Sequence, residues 1–153
     1  MINQDDFEIL DPLPNPPNIW AEIRLFFDCD LPVEPLADLI HLPAADARCR
    51  LNTRINPITH TRNAGYWSYH TSKECTFEDG VIVKQLYDAL TEHQAEFEEA
   101  MHQYSPSQMH IVIYVEIDEI NAFSGIHLWP EFIERLNFFH ACVDLVVEEK
   151  PTL

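Results

Sequence analysis

The stretch Met109-His110-Ile111-Val112-Ile113-Tyr114-Val115-Glu116-Ile117 constrains the fold more than any other part of the chain. Apolar side chains recur at every second position: Met109, Ile111, Ile113, Val115 and Ile117. Successive side chains of an extended strand point to opposite faces, so this period puts all of them on one face. A face so apolar must be covered, and a strand cannot cover itself. The pattern therefore requires a sheet with a second layer packed on it.

The remaining segments supply the sheet and that layer. Ile19–Phe27 reads as a strand that is apolar from Trp20 to Phe27 except for Glu22 and Arg24, which share one face. Pro32–Leu42 predicts a short helix, with Pro35 in its first turn and Leu36, Leu39 and Ile40 on one side. Arg48–Ile55 alternates, with Cys49, Leu51, Thr53 and Ile55 against Arg48, Arg50, Asn52 and Arg54. Gly65–Thr71 predicts an aromatic strand, Trp67 and Tyr69 facing away from Tyr66, Ser68 and His70, that closes a hairpin across a long connection.

One long helix is expected from an N-cap at Asp79 to about Tyr104, burying Val83, Leu86, Leu90, Phe97 and Met101. Asn121–Leu128 is expected to pair with the 109–117 strand. Trp129-Pro130-Glu131 opens a helix to about His140 that buries Phe132, Ile133, Leu136 and Phe139, and Cys142–Val147 closes as a strand. The resulting order, β-α-β-β-α-β-β-α-β, predicts an α+β fold: a mainly antiparallel sheet with helices packed on one face. Residues 1–18, with Pro12, Pro14, Pro16 and Pro17, read as a Pro-rich N-terminal arm, and 19–153 as a single α+β domain.

Charge narrows the partners. Nine Lys and Arg against 26 Asp and Glu give a net charge of −17. Such a surface repels phosphate backbones and anionic membranes, and it attracts basic proteins. Neither nucleic acid nor membrane is expected as a ligand. The charge is polarised as well, because Ala47–Lys73 holds no acid but carries Arg48, Arg50, Arg54, Arg62 and Lys73. The acidic first residues and the lack of a long apolar run predict a cytoplasmic protein. Cys29, Cys49, Cys75 and Cys142 form no C-x-x-C pair and read as free thiols, with Cys142 a core residue.

Chemistry-bearing motifs are sparse. Glu99-Ala100-Met101-His102 spells the E-x-x-H of carboxylate-bridged di-iron sites, but such sites need a second copy with two further carboxylates on other helices, and no second copy exists. His93 and Glu96, on the same predicted helix, read as part of a solvated face. There is no H-E-x-x-H, no EF-hand loop and no G-x-S-x-G elbow, and Cys29 lies between two acids that blunt a thiolate. The chain is expected to be a non-enzyme without metal or cofactor. Glu92, Glu96, Glu99, Glu116, Asp118 and Glu119 are the candidate partner-binding carboxylates. Arg48, Arg50 and Arg54 beside Trp67 are a candidate anion site, unless those arginines neutralise the molecule's own acids.

The segments Ala21–Phe27 and Leu31–Pro43, then Gly65-Tyr66-Trp67-Ser68, Ile126–Glu131 and Ala141–Leu145, together resemble the bacterial domain-of-unknown-function family 4279 over about residues 19–148. His41-Leu42 stands where that family has Leu-Gly. The resemblance transfers no catalytic residue. It implies an immunity protein; taken with the net charge, the chain is expected to cap a cognate, basic nuclease toxin, and to be a monomer or weak dimer. A small metal-dependent or hydrolytic enzyme and a regulatory adaptor are the alternatives.

Overall fold

The computed structural model describes residues 15–27, 33–42, 44–49, 65–118, 123 and 125–151. Five strands form the main path of one sheet in the order β2-β3-β1-β5-β6. They are β1 (Asn18–Phe27), β2 (Ala44–Cys49), β3 (Gly65–His70), β5 (Gln108–Ile117) and β6 (Cys142–Glu149), and a short β4 (Glu74–Cys75) pairs with the start of β1. The helices are α1 (Val33–Ile40), α2 (Gly80–Glu92), α3 (Gln94–Tyr104) and α4 (Pro130–Phe138).

The two most apolar strands take the middle. On β1, Ile19, Ala21, Ile23, Leu25 and Phe27 are at most 1% exposed, and on β5 Met109, Ile111, Ile113 and Val115 are equally buried. Each of the larger of these side chains contributes roughly 1.5–3 kcal/mol when fully covered, and a one-residue slip of register would turn the whole set to the other face. The same apolar cluster takes in Leu36 and Ile40 of α1, Ile82, Val83, Leu86 and Leu90 of α2, Phe97 of α3, and Phe132 and Leu136 of α4. All four helices thus cover one face of the sheet, and the fold is the α+β arrangement expected from the sequence.

Four details depart from that expectation. The single long helix is two: His93, at φ −108 and ψ 22, breaks α2 from α3. The stripe Leu90–Phe97 stays in phase across the break, so the sequence pattern conceals the bend. Asp79 does not cap α2 with its side chain. Its carboxylate instead accepts the His127 backbone N–H at 2.6 Å and so ties down the segment before α4. That segment is the second departure from strand: residues 125–129 are irregular, Gly125 sits at φ +120, and β5 pairs with β1 and β6 instead.

Third, β6 runs parallel to β5, because α4 makes a crossover between them where a hairpin would have reversed the chain. The chain turns sharply into β6: His140 N–H bonds Asn137 O at 3.1 Å, Ala141 N–H bonds Leu136 O at 2.9 Å, and His140 adopts φ +50. That is a Schellman termination with histidine in the left-handed position glycine usually takes. Fourth, side chains assigned to the core at this end are not in it. Ile133 is 49% exposed. Cys142 is half-buried on the helix-free face beside Gln108, because β6 is an edge strand.

Among the described residues no helix is long and apolar enough to cross a membrane. The expected N-terminal arm up to residue 14, most of the predicted 48–55 strand, and Cys29 lie outside the described residues. β2 (Ala44–Cys49) overlaps the predicted strand only at Arg48 and Cys49, and it pairs antiparallel with β3.

Candidate functional site

The alternation that buries one face of β1 sends Asn18, Trp20, Glu22, Arg24 and Phe26 to the opposite, helix-free face. Antiparallel partners share a face, so β3 adds Tyr66, Ser68 and His70, and β5 adds His110, Val112, Tyr114 and Glu116. Two charged networks with aromatic walls result.

The first centres on Glu22, buried though it carries a carboxylate. Arg24 Nε donates to one of its oxygens, and His70 Nε2 lies 3.0 Å from the other. Arg24 also donates to the Tyr114 hydroxyl at 2.6 Å and lies 4.6 Å from the centre of the Tyr66 ring. Burial alone pulls the Arg24 guanidinium downward, but the hydrogen bond and charge of Glu22 outweigh it and hold the group above its ordinary value. Tyr114 is pushed up by burial and by the charge of Glu22, against the pull of Arg24. Both groups are thus fixed in their ordinary states, cationic and neutral.

The second network stands on Glu116. Lys73 Nζ lies 2.8 Å from its carboxylate and 4.3 Å from the centre of the Trp20 ring, which itself stacks on Tyr114 at 5.0 Å and 9°. The Asn18 amide donates to the same carboxylate at 3.3 Å. The Lys73 hydrogen bond, with help from Asn18, lowers the Glu116 carboxyl below the usual range despite burial. At the far side His110 Nδ1 is 2.9 Å from Asp144 of β6, and the His110 ring meets Phe26 edge-on at 4.9 Å.

Ser68, His70 and Glu22 look like a hydrolytic set by composition. Ser68 Oγ lies 3.4 Å from His70 Nε2, the same nitrogen that faces Glu22. A relay needs the base to face its nucleophile with one ring nitrogen and its orienting carboxylate with the other, so this cluster does not form one. Among the described residues no group of three His, Cys, Asp or Glu side chains could hold a metal ion.

The six candidate carboxylates do not share one patch. Glu116 and Asp118 belong to the sheet end and are paired internally, Asp118 with Lys150 at 3.4 Å and with the Asn15 amide. Glu119 lies outside the described residues. Glu92, Glu96 and Glu99 lie on α2 and α3 in the helical layer. Glu96 sits 3.1 Å from His93 Nδ1, Glu92 and Glu99 are exposed, and the charge of Glu92 adds to burial in raising the Tyr69 hydroxyl. The two helices carry Asp88, Glu92, Glu96, Glu98 and Glu99 against Lys84, which is bound to Asp88 at 2.6 Å. Their outer face is acidic, and the one lysine in these two helices is already taken up by Asp88.

Trp67, the aromatic member of the candidate anion site, turns toward the core. It is fully buried against Phe97, at 6.1 Å between ring centres, and its indole N–H has no acceptor among the described residues. Its face turns to the core because Leu25, its partner on β1, does. Arg48 lies on β2, while Arg50 and Arg54 lie outside the described residues.

Trp20, Arg24, Tyr114 and Lys73 were not singled out from the sequence. The only signal was the polar pair Glu22 and Arg24 on one face of an apolar strand. What gives it meaning is the apposition of β3 and β5, which lie some 45 and 90 residues away.

A model of the domain-of-unknown-function family DUF4279 matches residues 17–148. The chain belongs to the DUF4279 family. The matched span runs from the start of β1 to the penultimate residue of β6 and so takes in every element of the sheet. No curated protein and no solved structure matches it.

Proposed function

We propose that this DUF4279 domain is an acidic inhibitory binding protein: an immunity protein that captures a basic nuclease toxin and covers its nucleic-acid-binding surface. The observation that carries the reading is the outer face of α2 and α3, where Glu92, Glu98 and Glu99 are exposed and Lys84 is already paired. A nuclease presents Lys and Arg to phosphates, and an array of fixed carboxylates competes for the same side chains. In this reading the contact falls on the helical layer, with Glu92, Glu96 and Glu99 as contributors, and the internally paired Glu116 and Asp118 serve structure.

The test is co-purification of the tagged chain with the basic toxin domain encoded beside it, followed by a salt titration. A one-to-one complex whose association slows steeply with salt supports the reading. Absence of a complex at low salt, or a complex indifferent to Glu98→Lys with Glu99→Lys, rejects it. The hydrolytic alternative rests on Glu22, His70 and Ser68, whose shared nitrogen argues against it. Esterase or nuclease turnover abolished by His70→Ala would revive it.

A further inference from the structure

β6 ends the sheet, and its outer edge has no strand partner among the described residues. The parallel register with β5, with the Lys150 N–H donating to Ile117 O at 2.8 Å, fixes the direction of every backbone group on β6. Cys142, Asp144, Val146 and Glu148 turn their N–H and C=O toward β5. Val143, Leu145, Val147 and Glu149 turn theirs outward. Val143, Leu145 and Val147 are also in register with the core residues Ile111, Ile113 and Val115, yet they are 38%, 48% and 45% exposed, because the helical layer stops short of this strand. The segment Cys142–Glu149 contains no Pro, no Lys and no bulge, the usual defences of a free edge.

We propose that β6 pairs antiparallel with β6 of a second copy, about a two-fold axis at Leu145. Outward-facing residues must meet outward-facing residues, which leaves few central registers. An axis at Asp144 would set Asp144 against its own copy, and an axis at Val146 would set Asp144 against Glu148. With the axis at Leu145, Leu145 faces Leu145, Val143 faces Val147, Asp144 faces Val146 and Glu148 faces Cys142, so that no carboxylate opposes another. Like charges directly opposite destabilise a strand pair, and apolar pairs stabilise it. The apolar ladder reads the same in both directions from Leu145, which is what a two-fold partner needs and an unrelated strand does not. The three outward pairs exchange backbone hydrogen bonds, and the two sheets become one continuous sheet across the axis.

Each copy carries −17, so the bodies repel at long range and salt promotes this association, the opposite of its effect on capture of a basic toxin. Sedimentation equilibrium of the full chain tests it. A strand pair without a large second interface is expected to dimerise between about 10 μM and 1 mM, more strongly as salt rises. Leu145→Lys, at a half-exposed position, should leave the fold intact and weaken the dimer at least about tenfold. Glu148→Cys should cross-link to the native Cys142 of the second copy under mild oxidation, since the two face each other at a non-hydrogen-bonded position, where the side chains come closest, whereas Val147→Cys, on the other face, should not. The proposal is overturned by a chain that stays monomeric at about 1 mM in about 0.5 M salt. A dimer indifferent to Leu145→Lys, or equal cross-linking by the two cysteine variants, overturns it as well.

Discussion

Lys73→Met isolates what the helix-free face contributes to stability. The lysine serves Glu116 at 2.8 Å and the Trp20 ring at 4.3 Å, and methionine keeps the stem while removing the charge. The Lys73 side chain is 53% exposed, so the ion pair is largely screened and contributes up to about 1 kcal/mol. The cation over Trp20 adds roughly 0.5–1 kcal/mol. The variant should therefore lose about 1–2 kcal/mol in urea unfolding, with Tm lower by about 3–8 °C. The pH dependence tells the two contributions apart. The Glu116 carboxyl lies below its ordinary value in the folded state, with the Lys73 hydrogen bond the main cause. Its contribution is present in full above the unfolded carboxyl value, about 4.3, and is lost as pH falls through the folded one. The gap between wild type and Lys73→Met should be widest near neutrality and narrow in acid. In a Glu116→Gln background the same substitution should cost only the ring contact. A gap that is constant with pH, or unchanged in that background, would refute the assignment.

Thr71→Val should cost about 1–3 kcal/mol and speed exchange of the Ala21 amide, because that buried N–H donates to Thr71 Oγ1 at 2.9 Å and valine offers no acceptor. His140→Gly should stabilise the fold by about 0.5–1 kcal/mol in chemical unfolding, since it relieves a left-handed residue in the Schellman turn without removing a core contact. Glu98→Lys combined with Glu99→Lys should leave Tm nearly unchanged while slowing association with a basic toxin about tenfold, as followed by stopped flow.

Period-two alternation alone identified β5 and the buried face of β1, and it did so for a local reason: which face a side chain takes depends only on its place along an extended chain. The 3.6-residue stripes likewise located α1, α2, α3 and α4, together with the helix-covered side of the sheet. The same stripes hid the bend at His93, because Leu90 and Phe97 stay in phase on a straight or a broken helix. Exposure of Leu145 and Ile133 was equally hidden, since an apolar residue in phase is buried only where a neighbouring layer reaches it. Trp67 shows the converse, a burial that neighbouring residues in the sequence do not reveal. Proximity in sequence to Arg48, Arg50 and Arg54 suggested an anion site, while its strand position sends it to the core.

For the candidate sites the division falls along sequence separation. Net charge, its polarity and the acid-rich α2–α3 segment are sums over local composition, so they were legible before any fold was known. The Glu22–Arg24–His70–Tyr114 network and the Lys73 bridge from Glu116 to Trp20 join residues from strands far apart in the chain. Strand order and register create those contacts, and they are fixed by the combined burial of several faces at once. No single segment encodes that choice; it belongs to the tertiary structure, where the parallel β5–β6 pairing also leaves Leu145 at an open edge.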